Sequence, residues 1–184
     1  MIHRSFDVAK SGRVGPLFCV SGGGGGMDHK KLLTSWRQIP RRIEESINGV
    51  SKSQLTKRSR PDAMTRAETV HHIAEANIVA ASMIIAAIGK DGATYDWSWL
   101  YPNSEWTERM GYAKAPIEPA VETLRALNGH IANLVKANPK VLKRKVTLFD
   151  TPGGETYTMS VEQIMRHEVT HAEEHLNELN SSPT

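Results

Sequence analysis

Gln163–Glu178 reads QIMRHEVTHAEEHLNE, with His167, His171 and His175 four residues apart. On a helix, residues at i and i+4 sit one above the other, with Cβ atoms roughly 6 Å apart. Two neutral imidazoles at that spacing can converge on one cation. The apolar residues Val161, Ile164, Met165, Val169, Ala172, Leu176 and Leu179 fill one sector of a wheel turning about 100° per residue. His175 lies roughly 50° from the middle of that sector, His171 roughly 90° and His167 roughly 130°. His171 and His175 therefore border the buried face, where ligands can be held, while His167 turns toward solvent. Ser160-Val-Glu-Gln163 opens the stretch as a capping box. An amphipathic helix of this length must cover its apolar stripe with other elements, and the rest of the chain supplies more helices.

Working back from Ser160, Lys145–Asp150 and Glu155–Met159 alternate like short strands about Thr151-Pro-Gly-Gly154, which predicts a hairpin. Before it, Val121, Leu124, Leu127, Ile131, Leu134 and Val135 form one stripe of a third helix, beginning after Pro116 or Pro119 and stopping at Asn138-Pro139. Thr65-Arg66-Ala67-Glu68 is a capping box that starts a second helix, running to about Ile88 with Gly89 as its stop. Leu32, Leu33, Trp36, Ile39, Ile43 and Ile47 recur at spacings of three and four. They make a first helix capped by Asp28, kinked at Pro40 and ended near Asn48-Gly49. The fold class is all-α: an up-and-down four-helix bundle with a long excursion between the second and third helices and a short β-hairpin before the last.

The second helix carries ETVHHIAEAN at Glu68–Asn77. Two histidines from the last helix and one from this helix would make an incomplete coordination sphere, which is how a catalytic metal site keeps a position for water or substrate. His71 and His72 are adjacent, so they point about 100° apart and only one can face the same ion. Periodicity does not choose between them, because the helix is apolar nearly all round after Ile73.

The run MTRAETVHHIAEA at 64–76 resembles the second-helix motif of the DinB superfamily, in which a glutamate is followed four residues later by a histidine, then an apolar residue and an acid. That register runs from Glu68 to His72, Ile73 and Glu75, so the resemblance selects His72 over His71. RHEVTHAEEHLNEL is similar to the family's fourth-helix motif, whose last two spaced histidines are ligands. Here those are His171 and His175, the pair that the helix wheel favours independently. The resemblance spans about Asp28 to Leu179, with Met64 where the family often has tryptophan. It implies a metal-dependent enzyme with His72, His171 and His175 as ligands of a divalent transition metal. Zinc or nickel head the candidates, with iron, manganese or copper behind, since imidazole suits several ions. It also implies either a hydrolase or a transferase joining a low-molecular-weight thiol to an electrophile, as in thiol-dependent maleylpyruvate isomerases and bacillithiol transferases. Glu75, three residues after His72, is the candidate general base or carboxylate partner. The rival expectation is a non-enzymatic stress-response module that binds metal or a small molecule, with His130 or His167 closing a four-histidine shell.

With 184 residues the chain is long enough for one domain with a real core. A net charge of +3 is mild, and its basic groups lack interleaved aromatics, so no nucleic-acid partner is expected. No apolar run reaches the roughly 20 residues of a bilayer crossing, so no membrane partner is expected. The single Cys19 excludes an intrachain disulfide and suits a reducing cytoplasm. Residues 1–26 end in five glycines and hold no helical period, so they read as a disordered extension before a bundle domain at 27–180. Met27 is the expected true start, with the upstream residues an over-extended reading frame. Thr94–Tyr112 holds three of the four tryptophans and three of the four tyrosines. That segment is a satellite core, a dimer contact or a pocket wall beside the metal. A small-molecule substrate and a homodimer complete the expectations.

Overall fold

A computed structural model of the protein describes residues 28–60, 63–100, 103–150 and 154–181. The elements in chain order are α1 (His29–Ile47), α2 (Lys52–Leu55), α3 (Arg66–Gly89), β1 (Ala93–Asp96), α4 (Asn103–Arg109), α5 (Glu118–Ala137), β2 (Lys145–Phe149), β3 (Tyr157–Ser160) and α6 (Val161–Ser181). The glycine-rich extension and the proposed start at Met27 lie outside the described residues.

Four long helices, α1, α3, α5 and α6, make the bundle. α1 and α3 each pack on both α5 and α6, so α1 and α3 stand at opposite corners. Side-chain pairs give the directions. Arg37 reaches Asn133 and Arg125 reaches Glu44, so α1 and α5 run antiparallel. His29 faces Glu162 and Arg42 faces Glu173, so α1 and α6 run parallel. The Arg66 guanidinium donates to the carbonyl of Leu179 at 2.8 Å, which sets α3 and α6 antiparallel. His71 contacts Ala115, just before α5, and Arg144, just after it, donates to Ile88 at the far end of α3. α3 and α5 are therefore parallel, and the alternation of directions is broken once. The Thr94–Tyr112 excursion explains why: it returns the chain to the end of the bundle where α3 began.

The expected hairpin is present as antiparallel β2 and β3, paired from Lys145 with Ser160 to Leu148 with Tyr157. β1, inside the excursion, adds a third strand parallel to β2, from Ala93 with Val146 to Asp96 with Phe149. Asp91 accepts a hydrogen bond from the Lys145 amide at 2.7 Å and anchors the approach. Gly89 closes α3 as its last helical residue, and the left-handed turn falls at Gly92, with φ +76°.

Trp36, Ile43, Ile73, Ile84, Leu124, Ile131, Met165 and Leu176 are among the large side chains at the centre of the core. One polar pair crosses it. The Trp36 indole donates to the Asn128 carbonyl at 3.2 Å, and the Asn128 amide returns a bond to the Trp36 carbonyl at 2.9 Å. Both residues are fully buried, and each bond satisfies a group that would otherwise cost stability. By length and composition alone α3 is apolar enough to cross a bilayer, against the expectation from the sequence. Half of that stretch is buried inside the bundle, which reads as the core helix of a packed domain.

Candidate metal centre

The α3 capping box fixes the phase of the helix that carries His72. The Thr65 hydroxyl accepts from the Glu68 amide at 3.1 Å, and the Glu68 carboxylate accepts from the Thr65 amide at 2.7 Å. Arg58 holds the other Glu68 oxygen at 2.7 Å. The tie from Arg66 to Leu179 then sets the height of α3 against α6. On α6, Ser160 and Gln163 exchange capping bonds of 2.8 and 3.2 Å and start the helix in register.

These constraints bring His72, His171 and His175 together. Nε2 of His171 lies 3.1 Å from Nε2 of His72 and 3.1 Å from Nε2 of His175. Ligand atoms of the three lie within 4.8 Å of one another, and no fourth histidine, cysteine or carboxylate joins them among the described residues. Two imidazole nitrogens at 2.0–2.1 Å from one tetrahedral ion would stand about 3.3 Å apart. The spacing therefore suits a single divalent ion with at least one position left for another ligand. The three rings meet edge to face, with interplanar angles of 80–83°. That arrangement points lone pairs inward instead of stacking the rings.

The electrostatics favour the neutral form at two of the three rings. Burial, together with His171 and His175, pushes His72 down to about 3. Burial and His171 lower His175 as well, against the pull of Glu178. His171 moves the other way. Burial opposes its charge, but Glu168, with Glu174 and Glu178 behind it, raises its pKa overall. Of the three rings, His171 is the one whose protonated form its surroundings favour, and an ion binding there competes with that proton.

Carboxylates stand behind two of the rings. Glu178 accepts from Nδ1 of His175 at 3.0 Å. Glu168 is buried with an oxygen 3.6 Å from Nδ1 of His171, and neither of those two atoms has another hydrogen-bond partner. Such acids fix the tautomer and raise the basicity of a metal-binding imidazole. From the sequence, Glu168 and Glu174 flank the ligand pair with one of them expected to be merely solvated, and Glu178 is passed over, although Glu168 and Glu178 each stand three residues from a ligand histidine. That spacing was the available signal.

The remaining candidates fall outside the cluster. His71 turns away: its ring stacks on Tyr112 at 5.0 Å and 10°, and its Nε2–H donates to the Ala115 carbonyl at 3.3 Å. His167 stacks parallel to His171 at 6.1 Å, and burial lowers its pKa. Its side chain is 33% exposed, so it is more covered than the helix wheel suggests. His130 sits exposed on α5 and closes no shell. Glu75 is half-buried on α3, beside the Tyr112 hydroxyl and not among the three histidines. Burial and then Glu75 raise the Tyr112 pKa, against the Trp106 indole, which donates to the phenol oxygen at 3.2 Å. The excursion thus reaches the face of α3 through Trp106 and Tyr112.

The chain is similar to several proteins described as metal-dependent hydrolases. A Geobacillus thermodenitrificans protein named "Putative metal-dependent hydrolase" is 30% identical over 112 residues, covering 60% of each chain. A Geobacillus kaustophilus protein of the same description is 28% identical over 108 residues, covering 59% of each. The match therefore spans about 60% of the length of these curated relatives. The solved structure of YfiT from Bacillus subtilis, described as a "probable metal-dependent hydrolase with an unusual four-helix bundle topology", superposes with a TM-score of 0.71. It covers 85% of this chain and 90% of that one at 17% identity, a likeness of fold. The sequence pattern of the DinB superfamily matches residues 35–179, which include α3, α5, nearly all of α6 and all three clustered histidines. The chain belongs to the DinB superfamily.

Proposed function

We propose that the protein is a metal-dependent hydrolase of a small molecule, with His72, His171 and His175 holding a divalent transition metal, zinc or nickel, and Glu75 acting as general base. The observation that carries this reading is the convergence of three imidazole nitrogens with no fourth protein ligand among the described residues. A structural site closes its shell with four protein ligands, whereas a catalytic site keeps a position open. When bound, the ion supplies Lewis acidity, polarising a carbonyl and lowering the pKa of a water toward 7.

The chain's own groups do the rest. Glu178 and Glu168 hold His175 and His171 with their Nε2 lone pairs turned inward. Glu75 lies nearly one turn along α3 from His72, where its carboxylate can take a proton from an attacking water and hand it to the leaving group. Tyr112 keeps its phenolic proton, since burial and Glu75 both disfavour its loss, and so presents a hydrogen-bond donor beside Glu75.

An open position that accepts water also accepts a thiolate, so bacillithiol, mycothiol and glutathione belong in the same screen as plain ester and amide hydrolysis. We extend the proposal to a cytoplasmic homodimer without nucleic-acid or membrane partners. Ile85, Trp99 and Met110, left 42–50% exposed, support the dimer, which analytical ultracentrifugation tests. The test of the mechanism is Glu75→Gln, which keeps volume and hydrogen-bonding capacity but removes the charge. Turnover on the best substrate falls by roughly 10²–10⁴ if Glu75 is the base. Metal affinity stays within about tenfold to a hundredfold of wild type. A variant as fast as wild type removes Glu75 from the mechanism.

A further inference from the structure

A second concavity opens on the same helix as His72. His71, Glu75 and Ile78 of α3 form one wall, and Pro119, Ala120 and Thr123 at the start of α5 form the other. Its volume is about 320 Å³, within the range of small-molecule pockets. None of the three clustered histidines lines it. The helix nevertheless joins the two places. Around the α3 axis His71 lies about 100° from His72, and Glu75 falls between them, about 60° from His72 and 40° from His71. Glu75 therefore stands at the edge of the pocket that faces the metal cluster.

The pocket's chemistry is one-sided. Apart from His71, Glu75 and Thr123 its walls are alanine, isoleucine and proline, and among the described residues no lysine or arginine lines it. His71 is fixed by its stack on Tyr112, and its Nε2–H is committed to the Ala115 carbonyl. Among the described residues Glu75 is the only carboxylate on the walls. The start of α5, which would otherwise attract an anion, has lost one amide to Pro119 and carries Glu118 in its first turn. An anionic group in this place would meet Glu75 with no cation to offset it. An ammonium on a compact apolar body would pair with Glu75 and bury its carbon atoms against the walls.

We infer that this pocket is the leaving-group subsite and takes an apolar primary amine, so that the substrates are amides whose nitrogen carries a compact apolar group. The inference rests on the hydrolase reading and deepens it by naming the substrate class. In the step, the oxygen of a water bonds to the amide carbonyl carbon and the carbon–nitrogen bond breaks. The proton that Glu75 takes from the water passes to the departing nitrogen. The acid formed gives its proton to the amine, leaving a carboxylate, an ammonium beside Glu75 and an ionised Glu75 ready for the next cycle. Balance requires only water and the amide.

The experiment is equilibrium binding of phenethylamine, 2-phenylethanol and phenylacetate to the full chain at neutral pH. It is followed by calorimetry and NMR, first zinc-loaded and then after chelation. Phenethylamine should bind in both states, at least tenfold tighter than phenylacetate, with the alcohol between. Glu75→Gln should erase the preference for the amine, and Thr123→Trp, an exposed change on the pocket wall, should weaken all three ligands while zinc still binds. Equal or tighter binding of phenylacetate, amine binding only with zinc present, or an amine affinity unchanged in either variant would overturn the assignment. Turnover is read separately with N-phenethyl amides. Amine binding without metal-dependent cleavage removes the hydrolase reading and leaves the amine site standing, whereas cleavage without amine binding does the reverse.

Discussion

Lowering the pH from 6.5 to 5.5 should weaken zinc binding about tenfold, a small change for a site made of three histidines. Three independent imidazoles with an ordinary pKa near 6.5 would together lose well over a hundredfold across that unit, because each must shed a proton before it can ligate. Here two of the three are shifted toward the neutral form. His72 is pushed down to about 3 by burial and by its two neighbours, and His175 is lowered by burial and by His171. His171 alone is raised, through Glu168, so it is protonated below a pKa that lies above the ordinary value. The ion therefore displaces about one proton at pH 5.5. Calorimetry in two buffers of different ionisation enthalpy counts that proton directly. A count near three would mean that the histidines do not crowd one another as the 3.1 Å separations require. A count near zero would mean that Glu168 does not hold a proton on His171.

Three further outcomes follow from the same geometry. Zinc at a thousandfold excess over its Kd should stabilise chelator-stripped protein by about 4 kcal/mol, seen as a rise of several degrees in Tm, because it binds the fold and not the unfolded chain. Glu168→Gln should lower zinc affinity by about tenfold to a hundredfold through loss of the carboxylate behind His171, with little change in the helical circular dichroism. Trp36→Ala should cost about 3–5 kcal/mol in urea unfolding, because it empties a fully buried site and removes the indole donor to the Asn128 carbonyl.

The helices of the bundle were legible because each carries its own local signals. The Thr65–Glu68 and Ser160–Gln163 boxes, the Asp28 cap and the apolar stripes all fall within a few residues of the elements they define. His171 and His175 were equally legible, since a four-residue spacing on the border of an apolar sector is a local pattern. His72 was not. α3 is apolar nearly all round, so its phase against α6 is set by a contact between Arg66 and Leu179, 113 residues apart, and only the family motif pointed to it. β1 was missed for a similar reason: Ala93–Asp96 becomes a strand by pairing with Val146–Phe149, about 50 residues on. Asn128 interrupts the α5 stripe as a polar residue, and its role depends on the Trp36 backbone 92 residues away. What the sequence concealed was long-range pairing. The parallel course of α3 and α5 belongs with it, since a turn of any direction could have followed an excursion of that length.

Metal content of the purified protein and of five single variants tests the central claim most directly. After loading with excess zinc and gel filtration, the wild type should retain about one ion per chain. His72→Ala, His171→Ala and His175→Ala should each retain almost none, while His71→Ala and His167→Ala keep the wild-type amount. Zinc retained by His72→Ala, or lost equally from His71→Ala or His167→Ala, would contradict the three-histidine centre.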